Sequence, residues 1–202
     1  IPNTILPSVG NHPDVIIFLA ADAFGVLPPI GRLSRGQAMY HFMSGYTSKL
    51  AGTERGITEP QETFSHCFGA PFMMLKPRVY ADMLGKRIGE HESKVYLINT
   101  GWVGGPYGVG RRMNLQQTRS MVKAAVNGDL EKVSFTRHEI FNVEIPISCP
   151  GVPDHILDPI NTWSDKQKYV ESAKRLASLF VKNFEKFGSM PLEIINAGPR
   201  TK

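Results

Sequence analysis

The residues best suited to chemistry lie between 99 and 112, where the sequence reads Asn99-Thr100-Gly101-Trp102-Val103-Gly104-Gly105-Pro106-Tyr107-Gly108-Val109-Gly110-Arg111-Arg112. Five glycines fall within ten residues, between an apolar run and a segment with helix-start signals. Glycine-rich turns let backbone N–H groups approach an anion closely, and the N-terminus of a following helix adds a favourable partial charge. The stretch therefore reads as a binding loop for a phosphate-bearing ligand. A glycine-rich surface turn ending in two solvated arginines accounts for the same composition. Gly105 and Gly110 keep the G-x-x-x-x-G spacing of a P-loop, yet Arg111 and Arg112 stand where Lys and Ser or Thr belong, so the metal-holding hydroxyl of that motif is missing.

Just downstream, helical spacing puts Thr118 on one face with Leu115 and Val122, which is expected to look inward. Its hydroxyl then needs a partner, either a ligand or the carbonyl one turn earlier. A second polar loop, residues 51–60, carries both charge signs between glycines; Arg55 could meet an anion there or pair with a glutamate to fix the loop. The six histidines, at positions 12, 41, 66, 91, 138 and 155, show neither H-x-x-x-H nor H-E-x-x-H spacing, so a metal site is not supported and each reads as surface or satisfied core. Cys67 and Cys149 stand 82 positions apart, without a C-x-x-C pair, and reduced thiols are expected. His66 neighbours Cys67 in sequence, but adjacency is not the spatial dyad that a catalytic thiol needs.

The elements that must position these residues follow from periodicity. Residues 15–20 form an unbroken apolar run that starts with β-branched side chains, the pattern of a strand buried on both faces of a parallel sheet. The loop from Asp22 to Pro29 breaks it. Ser34 can cap a helix over about 34–50, with Ala38, Phe42, Tyr46 and Leu50 as its apolar row and Gly52 as its stop. A second helix is predicted from Pro77 to about His91, with Val79, Met83, Leu84 and Ile88 at helical spacing, followed by a strand over 94–98. Residues 114–127 read as a helix with Asn114 as N-cap, Gln117 completing a capping box and Gly128 as the stop. From Asp165 to Phe187 a long amphipathic helix places Tyr169, Ala173, Leu176, Phe180, Phe184 and Phe187 on one face. Strands alternating with helices give an α/β unit; helix dominates, so the sheet is expected to be incomplete within this chain.

Composition narrows the function classes. With 202 residues, 42% hydrophobic and 20% charged, the chain has enough apolar material for a packed core and is not disordered. Its longest wholly apolar run, residues 15–21, is far below the ~20 residues of a membrane helix, so no membrane association is expected. The net charge of +5 fits an anionic ligand. No block of five like charges exists, however, which argues against a nucleic-acid binder. The chain opens at Ile1-Pro2-Asn3 without methionine or the regions of a signal peptide, so a cut inside a longer protein and a cytoplasmic location are the expectations. No repeat or linker composition divides residues 1–202, which are read as one unit.

Four blocks carry a resemblance: ADAFGVLPPIGRL at 21–33, MYHFMSGYTSKLAGTERGITEPQETFSHCFGAPF at 39–72, LINTGWVGGPYGVGRRMNLQQTR at 97–119 and PGVPDHILDP at 150–159. In this order, and over nearly the whole chain, they resemble the C-terminal part of ATP-dependent phosphoenolpyruvate carboxykinases. The resemblance implies the C-terminal portion of that fold's mononucleotide-binding domain, a mixed sheet flanked by helices. It implies an enzyme that decarboxylates oxaloacetate and phosphorylates the enolate from ATP, giving phosphoenolpyruvate, carbon dioxide and ADP at the entry to gluconeogenesis. Mg²⁺ with the nucleotide and Mn²⁺ at the full active site are the implied metals.

Transferred onto matching positions, the family's ATP contacts fall on Arg112, Met113 and Thr118. Arg112 would bind the phosphate and sugar region, Met113 would shape the base pocket through backbone and stem, and Thr118 would hydrogen-bond near the base. Arg111 stands where the family often has Lys, and Gln116 and Gln117 replace positions that are commonly charged. The family's kinase loop, metal ligands and oxaloacetate-gripping arginines lie upstream of the matched region. No catalytic or metal-ligating residue is therefore assignable here. The chain is expected to need the upstream part of the same protein as its partner and to be inactive alone. A non-catalytic nucleotide- or anion-binding module is the alternative.

Overall fold

The computed structural model describes residues 4–49 and 56–201. In chain order the elements are β1 (Val15–Ala20), β2 (Ile30–Leu33), α1 (Arg35–Ser44), β3 (Tyr46–Lys49), β4 (Gln61–Phe64), α2 (Pro77–His91), β5 (Lys94–Asn99), β6 (Trp102–Val103) and β7 (Arg111–Arg112). They continue with α3 (Leu115–Val126), β8 (Phe135–Arg137), β9 (Glu144–Pro146), α4 (Asp154–Leu157), α5 (Lys166–Glu185) and α6 (Leu192–Ile195). Five strands form one mixed sheet in the order β1-β5-β2-β9-β8. Within it β1 and β5 run parallel, from Val15 opposite Lys94 to Ala20 opposite Asn99, and the remaining pairs are antiparallel. The pairs β3-β4 and β6-β7 make two small ribbons outside this sheet.

Strand β5 organises the interior because successive side chains point to opposite faces. Val95 and Leu97 enter a core shared with Met39, Tyr40 and Met43 of α1, Ala81 and Ile88 of α2, and Leu176 and Phe180 of α5. Tyr96 and Ile98 enter a second core with Met121, Ala124 and Ala125 of α3. The chain is thus an α/β unit whose mixed sheet is flanked by helices. The strand buried on both faces is β5, and β1, expected in that role, is the end strand of the sheet. Leu19 is 56% exposed, and the outer edge of β1 has no strand partner among the described residues.

The helices correct several boundaries and faces. Ser34 caps α1 as read, and its hydroxyl accepts from the Gln37 N–H while the Gln37 amide oxygen accepts from the Ser34 N–H (2.8 Å), a closed capping box. The helix ends at Ser44, not near 50, because Gly45 turns left-handed (φ 54°) and returns its N–H to the His41 carbonyl. Tyr46 therefore starts β3, and Leu50 and Gly52 lie outside the described residues. Helix α2 has the predicted bounds but turns Ala81, Gly85 and Ile88 inward, leaving Val79 and Met83 exposed. Small residues win that face because α1 approaches closely: a Cβ at Gly85 would meet Met39. In α3 the Asn114 side chain accepts from the Gln116 N–H (2.7 Å), whereas Gln117 closes no box and its side-chain oxygen is buried without a partner among the described residues. Helix α5 buries Tyr169, Ala173, Leu176, Phe180 and Phe184 as expected, but it ends at Glu185, so Phe187 lies beyond it and is half-buried.

Two histidines make the fold sensitive to acid. His41 is buried against Phe180, with Nε2 unpartnered among the described residues, and desolvation lowers its pKa to about 4. His138 accepts the Ile140 and Phe141 N–H groups at Nδ1, which leaves Nε2 to donate to the Tyr169 hydroxyl (2.8 Å); burial lowers its pKa too. Both groups bind fewer protons folded than unfolded below about pH 6.5, so stability is full above that value and is lost as pH falls toward the folded pKa. Acidifying from pH 6.5 to 5 should remove about 2 kcal/mol through His41 alone. Urea midpoints at the two pH values check this, and His41→Leu should weaken the dependence. None of the described helices is long and apolar enough to cross a membrane.

Candidate functional site

The C-terminal ends of the parallel pair β1 and β5 meet in a buried polar network. Asp22, the second residue after β1, is fully buried. Its Oδ1 accepts from the Phe24 N–H (2.9 Å) and the Tyr46 hydroxyl (2.8 Å), and its Oδ2 accepts from the N–H groups of Val26 (2.7 Å) and Leu27 (2.9 Å). Burial pushes this carboxyl above the ordinary carboxylate range, and the converging donors oppose that rise. The same burial, with the neighbouring charge of Asp22, raises the Tyr46 hydroxyl well above its usual value. Asn99, the last residue of β5, bridges this loop to the glycine-rich stretch: its Oδ1 accepts from the N–H groups of Asp22 (3.0 Å) and Gly101 (2.8 Å), and its Nδ2 donates to the Leu27 carbonyl (3.2 Å).

The glycine-rich stretch is tied down by its own backbone. Trp102 N–H donates to the Asp22 carbonyl (2.7 Å), Tyr107 N–H to Ala23 (2.9 Å), and Gly110 N–H to Pro106 (2.8 Å). With Gly101 held by Asn99, several of the N–H groups expected to cradle an anion are already spent on protein oxygens. Close packing explains the glycines better. A Cβ at Gly101 would fall on the backbone of Asp22, and one at Gly25 (φ 72°) on the carbonyl of Gly105. The two loops touch through backbone, which only glycine permits.

Arg112, Met113 and Thr118 follow at the exit of this stretch. Arg112 is exposed on β7; its Nε donates to the Thr100 carbonyl (3.2 Å) and its guanidinium lies 5.7 Å from the Trp102 ring centroid. Its terminal nitrogens have no other hydrogen-bond partner among the described residues, so a fixed cationic fork faces solvent. Met113 points inward: its side chain is 6% exposed in the core beside α3, and its N–H donates to the Gly101 carbonyl (2.7 Å). Thr118 is half-buried in the first turns of α3, where Met121, Ala124 and Ala125 form the inner face and Leu115 is exposed. Its hydroxyl donates to the Asn114 carbonyl one turn earlier (3.3 Å), leaving the oxygen free to accept.

The other candidates separate from this corner. Arg55 lies outside the described residues. Cys67 and Cys149 are free and buried, and burial pushes both thiols up to about 11, so neither forms a ready nucleophile at neutral pH. Among the described residues, no three His, Cys, Asp or Glu come together to hold a metal ion. Sequence reasoning missed Asp22, Tyr46 and Asn99. The available signal was a carboxylate directly after an apolar strand, in a place where burial demands a full set of donors.

The blocks that build this corner, residues 21–33 and 97–119, both lie within the span that a family model matches. A family model described as phosphoenolpyruvate carboxykinase matches residues 1–155. The chain belongs to the phosphoenolpyruvate carboxykinase family. Among curated relatives, the phosphoenolpyruvate carboxykinase (ATP) of Caldanaerobacter subterraneus subsp. tengcongensis is 62% identical over 200 residues, 99% of this chain and 38% of the relative. Phosphoenolpyruvate carboxykinase (ATP) 2 of Moorella thermoacetica is 61% identical over 98% of this chain and 38% of its own length. The phosphoenolpyruvate carboxykinase (ATP) of Brevibacillus brevis is 58% identical over 100% of this chain, again 38% of the relative. The chain therefore spans little more than a third of the carboxykinases it matches.

Proposed function

We propose that this chain works as the C-terminal portion of the nucleotide-binding domain of an ATP-dependent phosphoenolpyruvate carboxykinase, contributing one side of the ATP site. The reaction is conversion of oxaloacetate and ATP to phosphoenolpyruvate, carbon dioxide and ADP, in the cytoplasm and at the entry to gluconeogenesis. The observation that carries the reading is the identity of 62% across 99% of the chain with a relative bearing that name. The geometry supports it at Arg112, a cation anchored at Nε whose terminal nitrogens have no hydrogen-bond partner among the described residues, beside the N-terminus of α3. Arg112 takes the phosphate and sugar region. Met113, turned inward, supports the base pocket from beneath through its backbone. Thr118, with its proton committed to Asn114, offers its oxygen to a donor on the base.

Phosphoryl transfer rests mainly on positioning and charge neutralisation, and the residues that hold Mg²⁺, Mn²⁺ and oxaloacetate belong in this reading to the upstream part of the polypeptide. The 202-residue chain alone should form no phosphoenolpyruvate from oxaloacetate and ATP, and joining it to that upstream part should restore turnover. Phosphoenolpyruvate formation at an enzymatic rate by the isolated chain, or none from the joined protein, would overturn the proposal. Within the joined protein, Thr118→Val should weaken ATP binding by about 0.5 to 1.5 kcal/mol, the scale of one neutral hydrogen bond, as read from the KM for ATP.

A further inference from the structure

Arg112 is aimed by a carbonyl, and that carbonyl belongs to a turn gripped by a buried amide. Asn99 is 1% exposed and holds three backbone groups at once: the N–H of Asp22, the N–H of Gly101 and the carbonyl of Leu27. The turn it grips holds the two carbonyls that receive Arg112 and Met113. Thr100 accepts from Arg112 Nε, and Gly101 accepts from the Met113 N–H. Asp22 fixes the opposite side, since its carboxylate gathers the N–H groups of residues 24, 26 and 27 and the Tyr46 hydroxyl. Helix α5 and its approach brace the same loop, with Trp163 Nε1 donating to the Gly25 carbonyl (2.8 Å) and the Tyr169 hydroxyl to Val26 (3.2 Å).

We infer that Asn99 and Asp22 are positioning residues of the nucleotide corner, which set the place of the Thr100 carbonyl and through it the direction of the Arg112 guanidinium. This rests on the reading of Arg112 as an ATP contact. A guanidinium with one bond at Nε is steered by wherever that acceptor sits, because its fork is planar and rigid. A buried amide bridging two loops has no apolar substitute, since removing it leaves two N–H groups and a carbonyl unpaired and frees the loops to shift together.

The test is the KM for ATP in the full-length polypeptide carrying this segment. Asn99→Ala should raise it about tenfold, the scale of one mispositioned charge-assisted bond, while kcat and the KM for oxaloacetate stay within about twofold. Added to Arg112→Ala, Asn99→Ala should raise the KM little further, because its effect passes through the missing guanidinium. Should Asn99→Ala fail to fold, Tyr46→Phe removes one donor from Asp22 while keeping the ring against Phe64 and Phe180. That variant should show the same selective rise in the KM for ATP, at about two- to fivefold. Equal damage to both substrates, multiplicative effects in the double variant, or an unchanged KM for ATP in the folded variant would each overturn the inference. If Arg112→Ala alone leaves the KM for ATP unchanged, it is the reading of Arg112 that falls.

Discussion

Arg112→Ala, introduced into the full-length polypeptide, should raise the KM for ATP roughly 10- to 100-fold, because a hydrogen bond to a charged group is worth about 1.5 to 3 kcal/mol. The fold should be indifferent to the change. The side chain is exposed on a two-residue strand, and its Nε bond reaches the Thr100 carbonyl at the surface. Arg112→Lys should recover only part of the affinity, since an ammonium keeps the charge but not the planar fork or the contact with the Trp102 face. Thermal midpoints measured beside the KM values separate the two effects: an unchanged midpoint with a raised KM for ATP places Arg112 at the ligand, whereas a lowered midpoint with an unchanged KM makes it a structural residue.

Gly25→Ala should be the most damaging small substitution in the loop after β1. The backbone there has φ 72°, a left-handed conformation that disfavours a Cβ by about 1 to 2 kcal/mol. The added methyl would also fall on the Gly105 carbonyl, where loop meets loop through backbone and no side chain can move aside. The 22–27 loop and the glycine-rich stretch must then separate, which breaks the bonds from Trp102 to Asp22 and from Tyr107 to Ala23. A loss of several kcal/mol in urea unfolding is expected, together with weakened ATP binding in the full-length polypeptide. By contrast Gly108→Ala, with a similar φ of 83° but nothing near its Cβ, should cost only the backbone term. Comparing the two isolates the contribution of the contact between the loops.

Much of the architecture was legible because local signals and tertiary packing agree. Pro77 opens α2, Ser34 caps α1, the apolar row from Tyr169 to Phe184 makes α5, and the β-branched run at 15–20 is a strand. The failures mark places where tertiary structure overrides periodicity. Tyr46 keeps the four-residue spacing of a helical row, yet Gly45 ends the helix before it and the ring packs from a strand against Phe180 (5.0 Å). Val79 and Met83 repeat as a buried face should, but α2 meets α1 through Ala81 and Gly85. Spacing alone cannot tell that two helices approach so closely that only small residues fit between them.

The site was legible in outline and not in its mechanics. Glycine density at 101–110 pointed to a ligand-binding turn, whereas much of that density serves backbone-to-backbone packing against residues 22 and 25. Helical spacing leaves Thr118 two possible partners, and the structure gives its proton to the carbonyl one turn back. The burial of Asp22 could not be read at all, since a carboxylate after a strand is ordinary until three N–H groups and a hydroxyl are seen to converge on it. Arg112 stands out in the sequence only through the family pattern; the fold adds a guanidinium anchored at Nε beside the Trp102 ring, with no hydrogen-bond partner for its terminal nitrogens among the described residues.

The most direct measurement is a crystal structure of the full-length polypeptide with a non-hydrolysable ATP analogue and its metal ions. The account predicts the Arg112 guanidinium within hydrogen-bond distance of the phosphate or ribose oxygens, with the base at the first turns of α3 beside the Thr118 hydroxyl. An analogue seated elsewhere, with Arg112 and Thr118 both left in solvent, would contradict it.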